Sequence, residues 1–279
     1  MHFQWYPGHM TKTKRMMKEN IKLIDVVIEL VDARVPLSSR NPDIDEIAAN
    51  KPRIILLNKH DLADTKYTKQ WEEYFRKEGY YTSLLNSKSI KEVAKVKSII
   101  FEACKERIER NKRRGMINKA VRAMVVGIPN VGKSTFINSF AKKASAKTGN
   151  KPGVTKGKQW IKIDKNIELL DTPGILWPKF EDQTVGLRLA LIGSIKDEIL
   201  QSYQLAIELI KFLKEKYSDS LTNRYGISID NDPQIIIEDI AKRRGCIEKG
   251  GELNLDQAAN ILLDEFRNGH LGKISLELP

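Results

Sequence analysis

The chain has 279 residues, enough for one core of ordinary size plus a smaller one, and its 41% hydrophobic and 30% charged residues give a soluble globular balance, neither collagen-like nor disordered. A formal net charge of +12 favours polyanionic partners, nucleic acid first. Cys104 and Cys246 stand far apart without metal-ligand neighbours, no leader-like segment opens the chain and no apolar run nears the roughly 20 residues of a membrane span, so a cytoplasmic protein without disulfides is expected.

In chain order, "IDVVIELVDAR" (24–34), "KPRIILLNKHD" (51–61) and "YYTSLLNS" (80–87) predict buried parallel strands whose C-terminal ends open into loops. Helical patterns follow in "YTKQWEEYFRKEG" (67–79) and in one long run, "SIKEVAKVKSIIFEACKERIERNKRRG" (89–115). "AVRAMVVG" is a further strand, "GKSTFINSFAKK" a helix and "NIELLDTPG" a strand. Alternation of this kind predicts an α/β fold with a doubly wound sheet over residues 1–185. Beyond 185 the strand signal fades, and three helical patterns within 186–279, at 195–217, 232–245 and 253–269, predict a smaller all-helical C-terminal domain. Basic residues cluster at 12–18, 105–115, 141–158 and 242–245; each cluster reads as a nucleic-acid contact or, equally, as a solvated helix face.

"GIPNVGKST" carries the chemistry. Gly127, Gly132, Lys133 and Ser134 satisfy G-x-x-x-x-G-K-S between a predicted strand and a predicted helix, the setting in which backbone N–H groups cradle phosphates. In that reading Asn130, Val131, Gly132 and Thr135 line the loop, Lys133 bridges the outer phosphates, and Ser134 offers its hydroxyl to Mg²⁺. "LLDTPG" ends a strand with Asp171, suited to the Mg²⁺ shell, and Gly174, whose N–H can sense a γ-phosphate. Thr155, in "GVT" between these two motifs, is the candidate switch threonine, binding Mg²⁺ and γ-phosphate together. In "NKHD", Asp61 can accept from both N1–H and the 2-amino group of guanine, a pattern adenine cannot supply; Asn58 would face the base edge and brace the phosphate loop, and Lys59 would lay its stem on the base. Asn86 and Ser87, in "NSKS", form a degenerate second base loop.

These residues resemble a translation-factor-type GTPase with its motifs rotated, because the base motif precedes the phosphate loop. In a doubly wound sheet the ligand sits at strand ends and termini lie close together, so joining the old ends and cutting elsewhere preserves the site. Within the circularly permuted group, "WYPGHM" (5–10), "GIPNVGKST", "PGVT" and "DTPGILWPKFED" resemble the bacterial ribosome biogenesis GTPase A, or YlqF, family over almost the whole chain. The resemblance implies a P-loop GTPase that binds GTP and GDP with Mg²⁺. It also implies action late in assembly of the large (50S) ribosomal subunit, with rRNA bound through the C-terminal domain; neighbouring ribosomal proteins are expected partners, and a monomer is the expected state.

Ile175 stands where Ras-like enzymes place a water-orienting Gln, so turnover is expected to be slow alone and stimulated by the ribosomal particle. The resemblance suggests His9 as the catalytic group, although "PGHM" also reads as a turn entering a helix. Asn130 is a candidate K⁺ ligand, supplying charge where an arginine finger otherwise would, or else a loop asparagine bonded to its own backbone. Two functional readings stay open. One is a GTP-hydrolysing maturation checkpoint; the other is an RNA-binding assembly protein with GTP as a static ligand. Kinase and membrane-regulator readings find little support, since "NKHD" favours guanine and no strongly amphipathic basic helix stands out.

Overall fold

The computed structural model describes residues 8–116, 119–142, 159–177, 180, 182–195 and 202–279. Its centre is a six-stranded sheet in the order β3-β2-β1-β4-β6-β5. The strands are β1 (Val26–Asp32), β2 (Arg53–Asn58), β3 (Tyr81–Leu85), β4 (Val121–Val126), β5 (Gln159–Lys162) and β6 (Ile167–Asp171). Every pairing is parallel except the edge pair β5–β6. Counted from β4 as first strand, the order becomes 6-5-4-1-3-2, a doubly wound sheet whose halves diverge from β4 and β1. This is the order that the expected circular permutation requires: the phosphate-loop strand is fourth in sequence and central in space.

All residues of β1 and β2 are buried, as continuous apolar strands require when both faces of a sheet are covered. Val31, Ile55 and Leu57 pack with Trp71 and Phe75 of α3 (Thr65–Lys77) on one face. Leu30, Ile54 and Leu56 join the larger core with Val93, Val96 and Ile100 of α4 (Ile90–Ala103). The helix starts are encoded locally: Asp64 accepts from the Lys66 amide and Ser89 from that of Glu92. The long helical run predicted over 89–115 is two helices, because α4 stops at Ala103 and α5 (Lys105–Arg113) starts beyond Cys104, whose backbone leaves helical geometry. Cys104 and Cys246 are free and buried.

Several elements, among them the helix over 183–191, gave no clear signal in the sequence. β5 has only four residues and buries just Ile161, too little alternation to read. α2 (Asp43–Ile47) and α9 (Asp219–Tyr225) are short, and α1 (Gly8–Asn20) is so basic that it reads as a charge cluster. Two further helices, α6 (Lys133–Ala141) and α7 (Gln183–Leu191), flank the site. Past them, α8 (Ser202–Lys216) and α10 (Pro233–Arg244) pack on α11 (Leu255–Arg267), which turns Ala258, Leu262 and Phe266 inward at four-residue spacing.

After α11 the chain returns to the sheet. Ile274 donates its amide to the Leu62 carbonyl, and Leu276 donates to that of Arg34. The Glu277 carboxylate, nearly buried, accepts from the amides of Leu37 and Ser38, the Ser38 hydroxyl and Arg188 of α7. None of the described helices is long and apolar enough to cross a membrane.

Candidate functional site

The predicted phosphate loop connects β4 to α6, between strands that diverge on either side. Gly132 precedes the first turn of α6 at φ 102°, and a Cβ there would stand 2.3 Å from the Asn58 amide nitrogen. Only glycine combines that left-handed backbone with so close an approach. Gly174 faces the loop from beyond β6; its Cβ would lie 2.8 Å from the Pro129 nitrogen and 2.9 Å from Lys133 Nζ. The motifs after β4 and β6 thus meet backbone to backbone.

Lys133 Nζ donates to the carbonyls of Gly127 and Ile128, both at 2.9 Å. An ammonium has three donors, so one remains for a phosphate oxygen. Burial pulls this lysine down to about 8, with nearby Asp171 pulling the other way. Burial likewise pushes Asp171 up to about 6 against the attraction of Lys133. Asp171 Oδ1 is buried and has no hydrogen-bond partner among the described residues. An orphaned, desolvated carboxylate oxygen fits a divalent cation, which would return the charge compensation that water no longer supplies. Ser134 and Thr135 are part-buried in the first turn of α6.

The base motif lies at the end of β2. Asn58 donates to the Val131 carbonyl at 2.7 Å, while its Oδ1 accepts from the Ser87 amide at 3.0 Å and the Ser87 hydroxyl at 2.8 Å. One amide thus braces the phosphate loop against the second base loop, and Ser139 of α6 tightens the link by donating to the Ser87 carbonyl. Lys59, at φ 60°, donates to Asp32 Oδ2 at 3.0 Å and to the Asn130 carbonyl at 2.8 Å. Its side chain stays 24% exposed, so part of it remains accessible to a ligand. Asp61 is exposed one step beyond, and Asn86 is part-buried beside Ser87.

Several contributors were not foreseen. Glu92 accepts from the Asn86 amide and pairs with His60, joining the two base loops. Thr172 donates to Val125, fixing the end of β6 on β4. Asn130 Nδ2 donates to the Gly193 carbonyl, and Ser194 Oγ to that of Pro129, so the connection after α7 is bonded to the phosphate loop. Ile175, 1% exposed, packs into the core. His9 falls in the first turn of α1, but its side chain lies outside the described residues, as does Thr155 altogether.

A family model described as a 50S ribosome-binding GTPase matches residues 122–238, beginning at the phosphate-loop strand and leaving the base motif upstream. Ribosome biogenesis GTPase A of Bacillus cereus is 50% identical over 283 residues, covering 100% of this chain and 95% of the relative. The chain belongs to the ribosome biogenesis GTPase A family. The Thermotoga maritima GTPase A is 32% identical over 275 residues, covering 99% of this chain and 94% of that protein. Among solved structures, a GDP-bound YlqF superposes with TM-score 0.68 at 28% identity, covering 95% of this chain and 99% of that one. The GNP-bound YlqF of T. maritima gives 0.65 at 29%, covering 96% and 98%. As a GTPase A family member, the protein is a guanine-nucleotide-binding GTP hydrolase of ribosome biogenesis, with a ribosome-related partner.

Proposed function

We propose that the protein is a cytoplasmic, monomeric assembly factor that acts late in maturation of the large (50S) ribosomal subunit and uses its GTP state as a checkpoint. The observation that carries this reading is the pair of hydrogen bonds from the phosphate loop to the connection after α7, Asn130 to Gly193 and Ser194 to Pro129. They attach the helices of 186–279, taken as the RNA-contacting domain, to the phosphate loop, which Gly174, the candidate γ-phosphate sensor, faces. The last turn of α10 carries Lys242, Arg243 and Arg244, of which Lys242 and Arg244 pair with Asp239 and Glu265, and this basic turn is the candidate contact with rRNA phosphates.

In this reading Asp61 recognises guanine, Lys59 covers it, Asn86 and Ser87 close its edge, and Asn58 braces the loop. Val131, Gly132, Lys133, Ser134 and Thr135 hold the phosphates, and Thr155 and Gly174 register the γ-phosphate. Ser134, Thr155 and Asp171 would hold Mg²⁺, which supplies charge neutralisation during phosphoryl transfer. Asn130 would contribute to a K⁺ site through its amide oxygen, since its nitrogen is committed to Gly193. His9 would orient the attacking water in place of a Gln.

A second reading treats nucleotide as a static ligand of an RNA-binding protein, and the burial of apolar Ile175 where a water-orienting Gln would stand favours it. Steady-state GTP turnover with and without purified 50S subunits, in K⁺ and in Na⁺, separates the two. Stimulation by the particle is expected, larger in K⁺. No stimulation despite confirmed binding would put the static-ligand reading first.

A further inference from the structure

Between β1 and α2 runs "DARVPLSSRNP", a stretch that none of the nucleotide motifs absorbs. It nevertheless begins with a buried ion pair, Asp32 at 0% and Arg34 at 1% exposure. Such a pair is costly unless its polar atoms find partners, and here each guanidinium nitrogen and both carboxylate oxygens have at least one. Arg34 Nε and Nη2 each donate to Asp32 at 2.9 Å, the Arg34 amide donates to it at 3.1 Å, and Nη1 reaches the Arg267 carbonyl at 3.3 Å. The guanidinium lies 5.4 Å from the centre of the Phe266 ring.

The pair points in two directions. Toward the nucleotide site, β1 pairs with β2 so that Asp32 stands opposite Asn58, and its Oδ2 also accepts from Lys59, which holds the Asn130 carbonyl. Toward the helices, Arg34 contacts the end of α11, and its own carbonyl accepts from Leu276 in the returning tail. Arg267 in turn donates to the Leu191 and Ala190 carbonyls at the end of α7, at 3.0 and 2.9 Å. The bonds therefore close into a circuit, from Asn130 through Lys59, Asp32, Arg34 and Arg267 to the α7–α8 connection and back to Asn130 through Gly193.

We infer that Asp32 and Arg34 are positioning residues for guanine-nucleotide binding: they hold Lys59 against the phosphate loop, and Arg34 makes that hold depend on the seating of α11. A flexible lysine stem fixed before the base arrives shifts its ordering cost from binding to folding, which raises affinity. Since linkage is reciprocal, nucleotide binding tightens the seat of α11 by the same factor by which a seated α11 tightens nucleotide. The inference rests on the reading of Lys59 as a guanine-site residue.

Calorimetric titration of GDP into the full chain tests it, with melting temperatures measured alongside, for Lys59→Ala, Asp32→Asn, Arg267→Gln and the two double variants that contain Lys59→Ala. Asp32→Asn is expected to weaken GDP about 10-fold and Arg267→Gln about 5-fold. Neither should add to the loss in a Lys59→Ala background, because the group they position is gone. A purely structural role would lower the melting temperature with GDP affinity unchanged, or would add fully to Lys59→Ala; either result overturns the inference. If Asp32→Asn fails to fold, Arg267→Gln carries the test, since Arg267 lies at the part-exposed end of the circuit. Unchanged affinity in Lys59→Ala would overturn the reading of Lys59 and the inference with it. A weakened Lys59→Ala beside unaffected Asp32→Asn and Arg267→Gln would overturn the coupling alone.

Discussion

Removing the Asn58 side chain tests whether the base-reading and phosphate-binding halves of the site are held by one amide. In Asn58→Ala the Val131 carbonyl, the Ser87 amide and the Ser87 hydroxyl each lose their partner, at positions where Asn58 and Ser87 are 2% and 4% exposed. A buried group left unsatisfied costs about 1–3 kcal/mol, and the hydroxyl can rotate to soften its loss, so the total is about 3–5 kcal/mol. That is a large part of the roughly 5–15 kcal/mol that holds a typical domain together, so the variant should fold but unfold at markedly lower denaturant. Asn58→Asp divides the effect. It keeps an acceptor for Ser87 and sets a carboxylate oxygen against the Val131 carbonyl, 2.7 Å from where the amide nitrogen stood. Equilibrium guanidinium unfolding gives the stability change, and GDP titration of the folded variants gives the affinity. Both should fall in Asn58→Ala, and Asn58→Asp should lose affinity at least as severely. A stability change under about 1 kcal/mol would refute the count of buried bonds. Lost stability with intact GDP affinity would refute the claim that this brace serves the site.

Gly174→Ala should weaken GTP more than GDP, because the added methyl would press on the Pro129 backbone and on Lys133 Nζ, both within 3 Å; equal loss for the two nucleotides in a binding titration would count against Gly174 as the γ-phosphate sensor. In the nucleotide-free protein, burial raises Asp171 from 3.8 to about 6, so the folded state holds a proton that the unfolded state has released, and stability falls as pH rises through this window. Burial lowers Lys133 from 10.5 to about 8, so its penalty is present below pH 8 and is relieved as pH climbs toward 10.5. Urea midpoints against pH should show the acid-side fall reduced in Asp171→Asn, and an unchanged profile would remove Asp171 as its source. Finally, His9→Ala should lower GTP hydrolysis by about 10²-fold or more while leaving GTP affinity nearly intact; equal turnover by phosphate release would take His9 out of the mechanism.

Much of the fold was legible because its central strands β1 and β2 are buried on both faces, so "VVIELVD" and "RIILLN" are continuous apolar runs that end at functional loops. The phosphate loop was legible for a related reason: a backbone that must wrap phosphate and then start a helix needs Gly132, Lys133 and Ser134 in fixed spacing. Edge strand β5 escaped because a four-residue strand with one buried side chain carries no periodicity. The break at Cys104 escaped because no glycine or proline marks it.

What the sequence by itself determined is the chemistry available: a phosphate loop, a carboxylate after a strand, a guanine-type base motif, a surplus of positive charge, and an order that only a permuted sheet can accommodate. These are local signals, set by what a few consecutive residues can do. Only the tertiary structure decided that Asn58 spans to Val131 and Ser87, that Asp32 and Arg34 stand behind Lys59, and that the last residues fold back onto the loop after β1. Those partners are separated by up to 240 residues in the chain, as Leu37 and Glu277 are. Neither residue of such a pair carries a mark of the other, because what joins them is the sheet order and the packing of α11, properties of the whole chain rather than of any stretch of it.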